Sequence, residues 1–416
     1  MSSYTRIFIQ TFNSNLDYDG NWIEVTSDVD FSGIGSIKQQ IDNNDFDVGT
    51  FKFSDFNLRF RNEHGRFSDV GVLQSIFQNR REDSLVRIDW SEGKDNEPIC
   101  GIAICGEAIL HQDITIFTGL INDVASFQNL KDNKITFKVQ PLESIFARVE
   151  VNQSALNALG GSDPMSDYIH TLINQSIITN LITVDDSNIS CGIDHSPDDV
   201  SELEGKTVKD ALDQFLAASN SVLYIDNSNT TVYVKPREES AASMKTFYGQ
   251  GSNSGAENII DIKNYTTGLN RTFNLWRWAE TGEIARDTSS ISRYGVKDKE
   301  VSSEVITNTT KKGNLLSEYR DEFAFPKREF VLSSPLDYST SELFLLDKVN
   351  VDYPTLFYPS RIGGSIPIWG AFEWGDGSEY PVGVWNLTID GSDNFKIISR
   401  SLNLKNSTVE YRLREA

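Results

Sequence analysis

Residues Phe53 to Asp69 read FSDFNLRFRNEHGRFSD. Phe56, Leu58 and Phe60 alternate with Asn57, Arg59 and Arg61, so one side of this run is apolar and the other polar, as in a half-buried β-strand. Asn62, Glu63, His64 and Gly65 are turn formers, and Gly65 is free to take positive φ where the chain reverses. The stretch is a strand running into a polar turn that carries His64, Arg66 and Asp69. The same period of two recurs at KITFKVQ (134–140), where Ile135, Phe137 and Val139 face one way and Lys134, Thr136, Lys138 and Gln140 the other. Such alternation belongs to the wall of a barrel or sandwich with one wet face.

Other strand-like runs in the first 150 residues are TRIFIQTF, NWIEVTSDV, LVRIDW and AILHQDITIFTGLINDV, separated by short polar turns. The pattern then turns helical. DPMSDYIHTLINQSI (163–177) can be capped by Asp163 or Ser162, with Pro164 early in the helix. TVKDALDQFLAASN (207–220) opens at Thr207 or Lys206 and places Val208, Leu212, Phe215 and Leu216 on one stripe. SVLYIDNSNTTVYVKP reads as a hairpin. A Ser-, Gly- and Asn-rich loop and a further strand region follow. Leu315, Leu316, Tyr319 and Phe323 then keep helical spacing up to Pro326. From residue 327 the pattern is β again, in LDKVNVDYP, YPVGVWNLTID, NFKIISRSLNLK and TVEYRLREA.

The chain has 416 residues, long enough for about two to four domains. Its 24 Phe, 14 Tyr and 7 Trp against 3 Met favour pleated surfaces over helical bundles. Sixty acidic against 38 basic residues leave a net charge of −22, the opposite of a nucleic-acid binder's footprint. The N-terminus lacks a basic segment followed by a long apolar run, and no segment approaches membrane-spanning length, so a soluble, unexported chain is expected. Three cysteines do not make a disulfide framework and fit a reducing site of synthesis.

The order of these parts resembles the baseplate hub, or tail tip hub, proteins of long-tailed bacteriophages and related injection systems. The resemblance rests on GTFKFSDFNLRFRNEHGRFSD (49–69) with the later FTGLINDV (117–124), on the helix-hairpin VKDALDQFLAASNSVLYID (208–226), and on SRYGVKDKE (292–300) leading into a helix and the late strands. It implies a mainly β fold of α+β type: two β-barrel domains with an inserted small α/β region and a linking helix. The expected division is an N-terminal β-barrel over 1–150, a helix-containing insert over 151–290, a linker helix region over 291–330 and a C-terminal β-barrel over 331–416.

The resemblance also implies a non-enzymatic virion protein at the phage tail tip or baseplate, assembled in the host cytoplasm. There it would be a homotrimer whose six barrels form a pseudo-sixfold ring. Its implied partners are the distal tail protein, the tape measure protein and a spike or fibre protein, with DNA only in transit. Under this reading Arg66 and Asp69 fix strand register or a neighbour contact, and no reaction takes place at His64. An acidic lumen is expected, because phosphates sliding past Lys and Arg would be held by counterion release. The alternatives are a sixfold distal tail ring or other baseplate β-protein and, from another class, a cell-wall glycan hydrolase of the tail tip.

No catalytic, cofactor-binding or metal-binding residue is assigned. Cys100, Cys105, Cys191 and His195 are the one group with a metal-site ligand count, but neither spacing is a two-residue knuckle, and Cys100 and Cys105 flank apolar residues as small hydrophobes do. Asp198, Asp199, Glu202 and Glu204, and separately Asp376 with Glu379, are the paired carboxylates a glycosidase would need. Both groups sit in turn-like loops, where solvated acids are ordinary. No Ser-His-Asp or Cys-His arrangement arises from 4 scattered histidines, and no Gly-rich phosphate loop is present. Trp276 and Trp278, flanking Arg277, share one strand face, which fits a core or a subunit interface equally.

Overall fold

The computed structural model describes residues 3–416 apart from 42–51, 69, 71, 93–112, 130–132, 227, 238–241, 250–256, 267, 280, 354–388 and 390–392. Two large curled sheets dominate, making the protein mainly β within the α+β class. The first is built from β1 (Ser3–Phe12), β2 (Tyr18–Glu24), β5 (Phe56–Arg61), β6 (Leu85–Glu92), β7 (Ile114–Asn129) and β8 (Lys134–Pro141). Its order is β2-β1-β6-β7-β8-β5, with every neighbouring pair antiparallel. The alternation expected for β5 is present, with Phe56, Leu58 and Phe60 buried and Asn57 and Arg61 exposed. NWIEVTSDV is strand only as far as Glu24, after which the chain tightens into a 3-10 turn at Thr26–Asp28.

That turn begins a crossing. Val25 donates to the Ile7 carbonyl in β1, Val29 bridges Phe60, and the Asp30 and Gly35 amides donate to the Arg59 and Asn57 carbonyls on the outer edge of β5. Residues 25–35 therefore span the open side of the first sheet. The chain does not stop there. It continues into β3 (Ile37–Gln40), which pairs with β18 (Asn394–Asn403) of the second sheet and with β4 (Lys52–Phe53).

The second sheet contains β11 (Lys245–Tyr248), β12 (Asp261–Thr266), β16 (Glu329–Pro335), β17 (Lys348–Asp352), β18 and β19 (Thr408–Glu415), in the order β11-β17-β18-β19-β16-β12. β17 and β3 share one edge of β18: β17 pairs with Asn394–Lys396 and β3 with Ser399–Leu402. The change of partner falls at a register shift between Ile397 and Ser399, where the Ile398 carbonyl accepts from the Ile41 amide at 3.0 Å. A bulge re-aims a strand in this way, and it leaves Ile397 and Ile398 both buried. Side chains from both sheets belong to one apolar core, which runs from Ile7, Phe60 and Phe137 to Phe330, Ile397 and Tyr411.

A second core lies in the helical part. It gathers α1 (Gln153–Asn157), α2 (Met165–Ile173), α3 (Ser176–Thr179), α4 (Val208–Ala218), the hairpin β9 (Ser221–Asp226) and β10 (Thr231–Pro236), and α6 (Thr309–Phe323). A three-stranded sheet, β14-β13-β15, joins them from β13 (Leu275–Trp278), β14 (Ile284–Arg286) and β15 (Asp298–Val301), with α5 (Thr288–Tyr294) between its last two strands. The remaining helix, α7 (Tyr338–Ser341), follows β16 and carries a capping box from Asp337 to Thr340. Thr207 caps α4 as expected, its hydroxyl accepting from the Asp210 amide. For α2 the cap differs. Pro164 occupies the N-cap, Asp163 turns back to accept from the Gly160 amide, and Asp194 takes the Ser166 N–H and hydroxyl, both at 2.9 Å. A distant carboxylate has replaced the local one. Among the described residues no helix is long and apolar enough to cross a membrane.

Gly119 in β7 shows how closely the first sheet is packed: a Cβ there would lie 2.4 Å from both the Gln140 carbonyl oxygen and the Phe117 ring. Overpacking at backbone cannot be relieved by a rotamer change. Gly119→Ala is expected to lower unfolding free energy by about 1–3 kcal/mol in urea titration. A variant as stable as the parent would show that the sheet yields at this point without cost.

Candidate functional site

The turn at Asn62 does geometry. Gly65 takes φ +71°, the Asn62 side chain accepts from the Phe67 amide at 2.9 Å, and Phe67 is driven inward to stack on Phe60 at 4.4 Å. Arg66 then reaches across to the crossing segment, pairing with Asp28 at 2.5 Å and donating to the Glu24 carbonyl at 3.2 Å. Lys134 of β8 holds Asp30 at 2.7 Å on the same seam. That hydrogen bond, aided by Ser32, brings the Asp30 carboxyl down to about 2. Arg66 is thus a clamp over the seam of the first sheet, His64 is exposed in the turn, and Asp69 lies outside the described residues.

The other marked residues separate. Trp276 and Trp278 are buried in the second core, with Trp276 5.1 Å from Tyr319 and 5.6 Å from Phe323 of α6. They are core residues. Arg277, between them, points outward to Asp298. Asp198 accepts from the Thr307 and Asn308 amides and pairs with Lys311 at the start of α6, while Asp199 accepts from the Ser201 amide. Asp198 thus ties its loop to the start of α6, and Asp199 closes a local turn. Glu202 and Glu204 are exposed nearby. Burial pushes the Cys191 thiol up to about 12, so it is un-ionised at neutral pH. Burial and then Lys311 hold the His195 imidazole below its ordinary value. Cys100, Cys105, Asp376 and Glu379 lie outside the described residues, so a cluster that includes them is not assembled here; among the described residues no group of three or more metal-type ligands occurs.

Sequence reasoning missed the ionic junction between the two cores. Arg237, just after β10, approaches Glu322 of α6 at 3.5 Å, with both side chains almost fully buried. Arg414 and Lys396 of the second sheet line the same small enclosed space of about 20 Å³. Burial acts to raise the Glu322 carboxyl, but the combined field of Arg237, Arg414, Lys396 and Lys327 holds it below the ordinary range. Nearby, Glu329 is buried among Arg271 at 3.4 Å, Arg412 at 3.2 Å and Arg414 at 3.7 Å. Breaking one member of such a set would strand a buried charge. No local pattern marks these residues, because they come from five separate stretches of chain.

A third buried acid stands at the join. Glu143 follows β8, beside the Ile225 amide of β9 and the Gln39 side chain of β3, so it touches both sheets' strands and the insert. Burial pushes its carboxyl up to about 7, against partial opposition from those groups and its own backbone N–H.

No protein-family model and no curated protein matches the chain. Solved structures do. The tail protein from Neisseria meningitidis MC58 superposes with a TM-score of 0.54 at 10% identity, over 100% of this chain and 97% of that one. The 43 kDa tail protein of prophage MuSo2 from Shewanella oneidensis gives 0.51 at 11% identity, over 99% and 97%. Prophage tail protein gp18 from Listeria monocytogenes EGD-e gives 0.50 at 12% identity, over 99% and 94%. At these identities the likeness is one of fold, and it runs from end to end.

The Glu143 carboxyl yields a pH test. Below about 4.5, its ordinary value, it is neutral in both folded and unfolded chains. As pH rises from about 4.5 to about 7 the unfolded chain ionises first, so this group's contribution to stability falls, and above about 7 the loss is complete. Glu143→Gln is therefore expected to gain on the parent across that window and to run parallel to it on either side. Denaturation curves that stay parallel throughout would refute the assignment.

Proposed function

We propose that the chain is the structural subunit of a phage tail tip hub, acting without catalysis. The observation that carries this reading is the end-to-end fold likeness to tail proteins from three bacterial sources, each covered by 94% or more of its own length. The physical support is the arrangement itself. Two curled sheets share one core and are linked by β3, so each copy offers two wall segments at a fixed mutual angle. Three copies give six such segments, the number that matches a sixfold tube on one face while leaving threefold symmetry for a spike on the other.

In this reading the barrels are the N-terminal part to residue 150 and the C-terminal part from 331, the insert of 151–290 decorates them, and residues 291–330 link insert to second barrel. The strands β3, β4, β11 and β12 complete the second sheet from outside its own stretch. The partners are the distal tail protein, the tape measure protein and a spike or fibre protein, in a virion assembled in the host cytoplasm. DNA passes through the ring, and part of the net charge of −22 lines its wall, where phosphate finds no cations to hold it.

Electron cryo-microscopy of the chain reconstituted with the distal tail protein tests this directly. Threefold particles with three copies of the 46.7 kDa chain, about 140 kDa of this protein, are expected. Their channel should be walled mainly by Asp and Glu. Sixfold rings of this chain, or a chain that stays monomeric with its neighbour present, would overturn the hub reading; a wall of Lys and Arg would overturn the charge argument alone.

A further inference from the structure

A cleft of about 470 Å³ opens where the first sheet, the second sheet and the β9–β10 turn meet. Its charged lining is Asp113 at the head of β7, Asp226 at the end of β9, Glu342 just after α7, and Arg400 of β18. Asp113 is shared with Arg6, and Asp226 accepts from the Ser228 amide and hydroxyl. Glu342 is exposed and makes no ion pair among the described residues. Arg400 is only 2% exposed; its Nη2 donates to the Ser341 carbonyl at 2.8 Å, and its Nε has no hydrogen-bond partner among the described residues. Apolar surface is present beside these charges: Phe344 lies under the Arg400 guanidinium, and Met244 stands 61% exposed at the cleft.

Each group asks for a different part of one ligand. A buried N–H donor calls for a carbonyl acceptor. With Asp113 held by Arg6, Asp226 and Glu342 stand against the one guanidinium of Arg400 and call for a cation, and Met244 with Phe344 offers an adaptable surface for an aliphatic stem. An extended polypeptide supplies all three, with a carbonyl at each residue and alternate side chains on one side. An acidic peptide would meet three carboxylates.

We propose that this cleft receives an extended basic segment of a different protein chain, with a backbone carbonyl on Arg400 Nε and a Lys or Arg side chain against Asp226 and Glu342. The proposal rests on the reading of this protein as a member of a multi-protein assembly, but its test uses the isolated chain and does not depend on a trimer forming.

The chain has 3 methionines, so methyl-labelled methionine gives a sparse spectrum in which Met244 reports the cleft and buried Met165 serves as an internal control. The probe is a blocked pentapeptide of alternating lysine and leucine, with its glutamate counterpart as comparison. The lysine peptide is expected to shift Met244 and leave Met165 in place. Glu342→Gln should weaken this binding several-fold, and Glu342→Gln with Asp226→Asn about tenfold, with further loss as salt is raised. No shift at Met244, an equal shift with the glutamate peptide, or unchanged binding by the exposed-site variant Glu342→Gln alone would overturn the proposal. So would a Met244 signal that moves with the protein's own concentration, since the occupant would then be a second copy.

Discussion

Residues 25–41 are the constraint on which the rest of the molecule depends. Within this one stretch the chain closes the open side of the first sheet through Val25, Val29, Asp30 and Gly35, then enters the second sheet as β3 against β18. A segment hydrogen-bonded at both ends cannot act as a linker. Domains joined by free chain are expected to move relative to each other. Two sheets linked by β3 and sharing a core of Phe60, Phe137, Phe330 and Tyr411 are held at one angle.

The insert is attached differently. Its own core of Leu212, Phe215, Trp276 and Tyr319 is distinct from the barrel core, and the two are joined both by apolar contacts, with Val222 and Tyr224 of β9 reaching into the barrel core and Leu120 of β7 into that of the insert, and by the buried charges Arg237, Glu322, Arg414 and Glu143. Ionic and polar joins need exact geometry and tolerate the loss of one partner poorly, whereas apolar cores tolerate repacking. The two-sheet platform is held by β3 and apolar packing, and the insert by its hairpin on the barrel core together with a few buried charges.

Much of this was legible in the sequence where the signal is local. Period-two alternation located β5 and β8, and the helical stripe located α4 and its cap Thr207. Arg66 needed the structure only to reveal its partner, Asp28. Long-range pairing was not legible. β3 is four residues long and joins a strand about 360 positions further on, and nothing in IKQQ marks it as part of the second sheet. The cap of α2 was misplaced for the same reason, since Asp194 reaches it from 28 residues away. The Trp pair could be placed only once Tyr319 and Phe323 of α6 were seen to cover it.

Hydrogen exchange of the β3 amides tests the central claim most directly. If residues 37–41 bind the two sheets into one platform, their amides exchange only as slowly as those of β18 and the buried strands of the first sheet, through the same cooperative opening. Exchange of residues 37–41 at the rate of an exposed turn, with β18 still protected, would contradict the account, because the sheets would then be joined by a tether and free to change their angle.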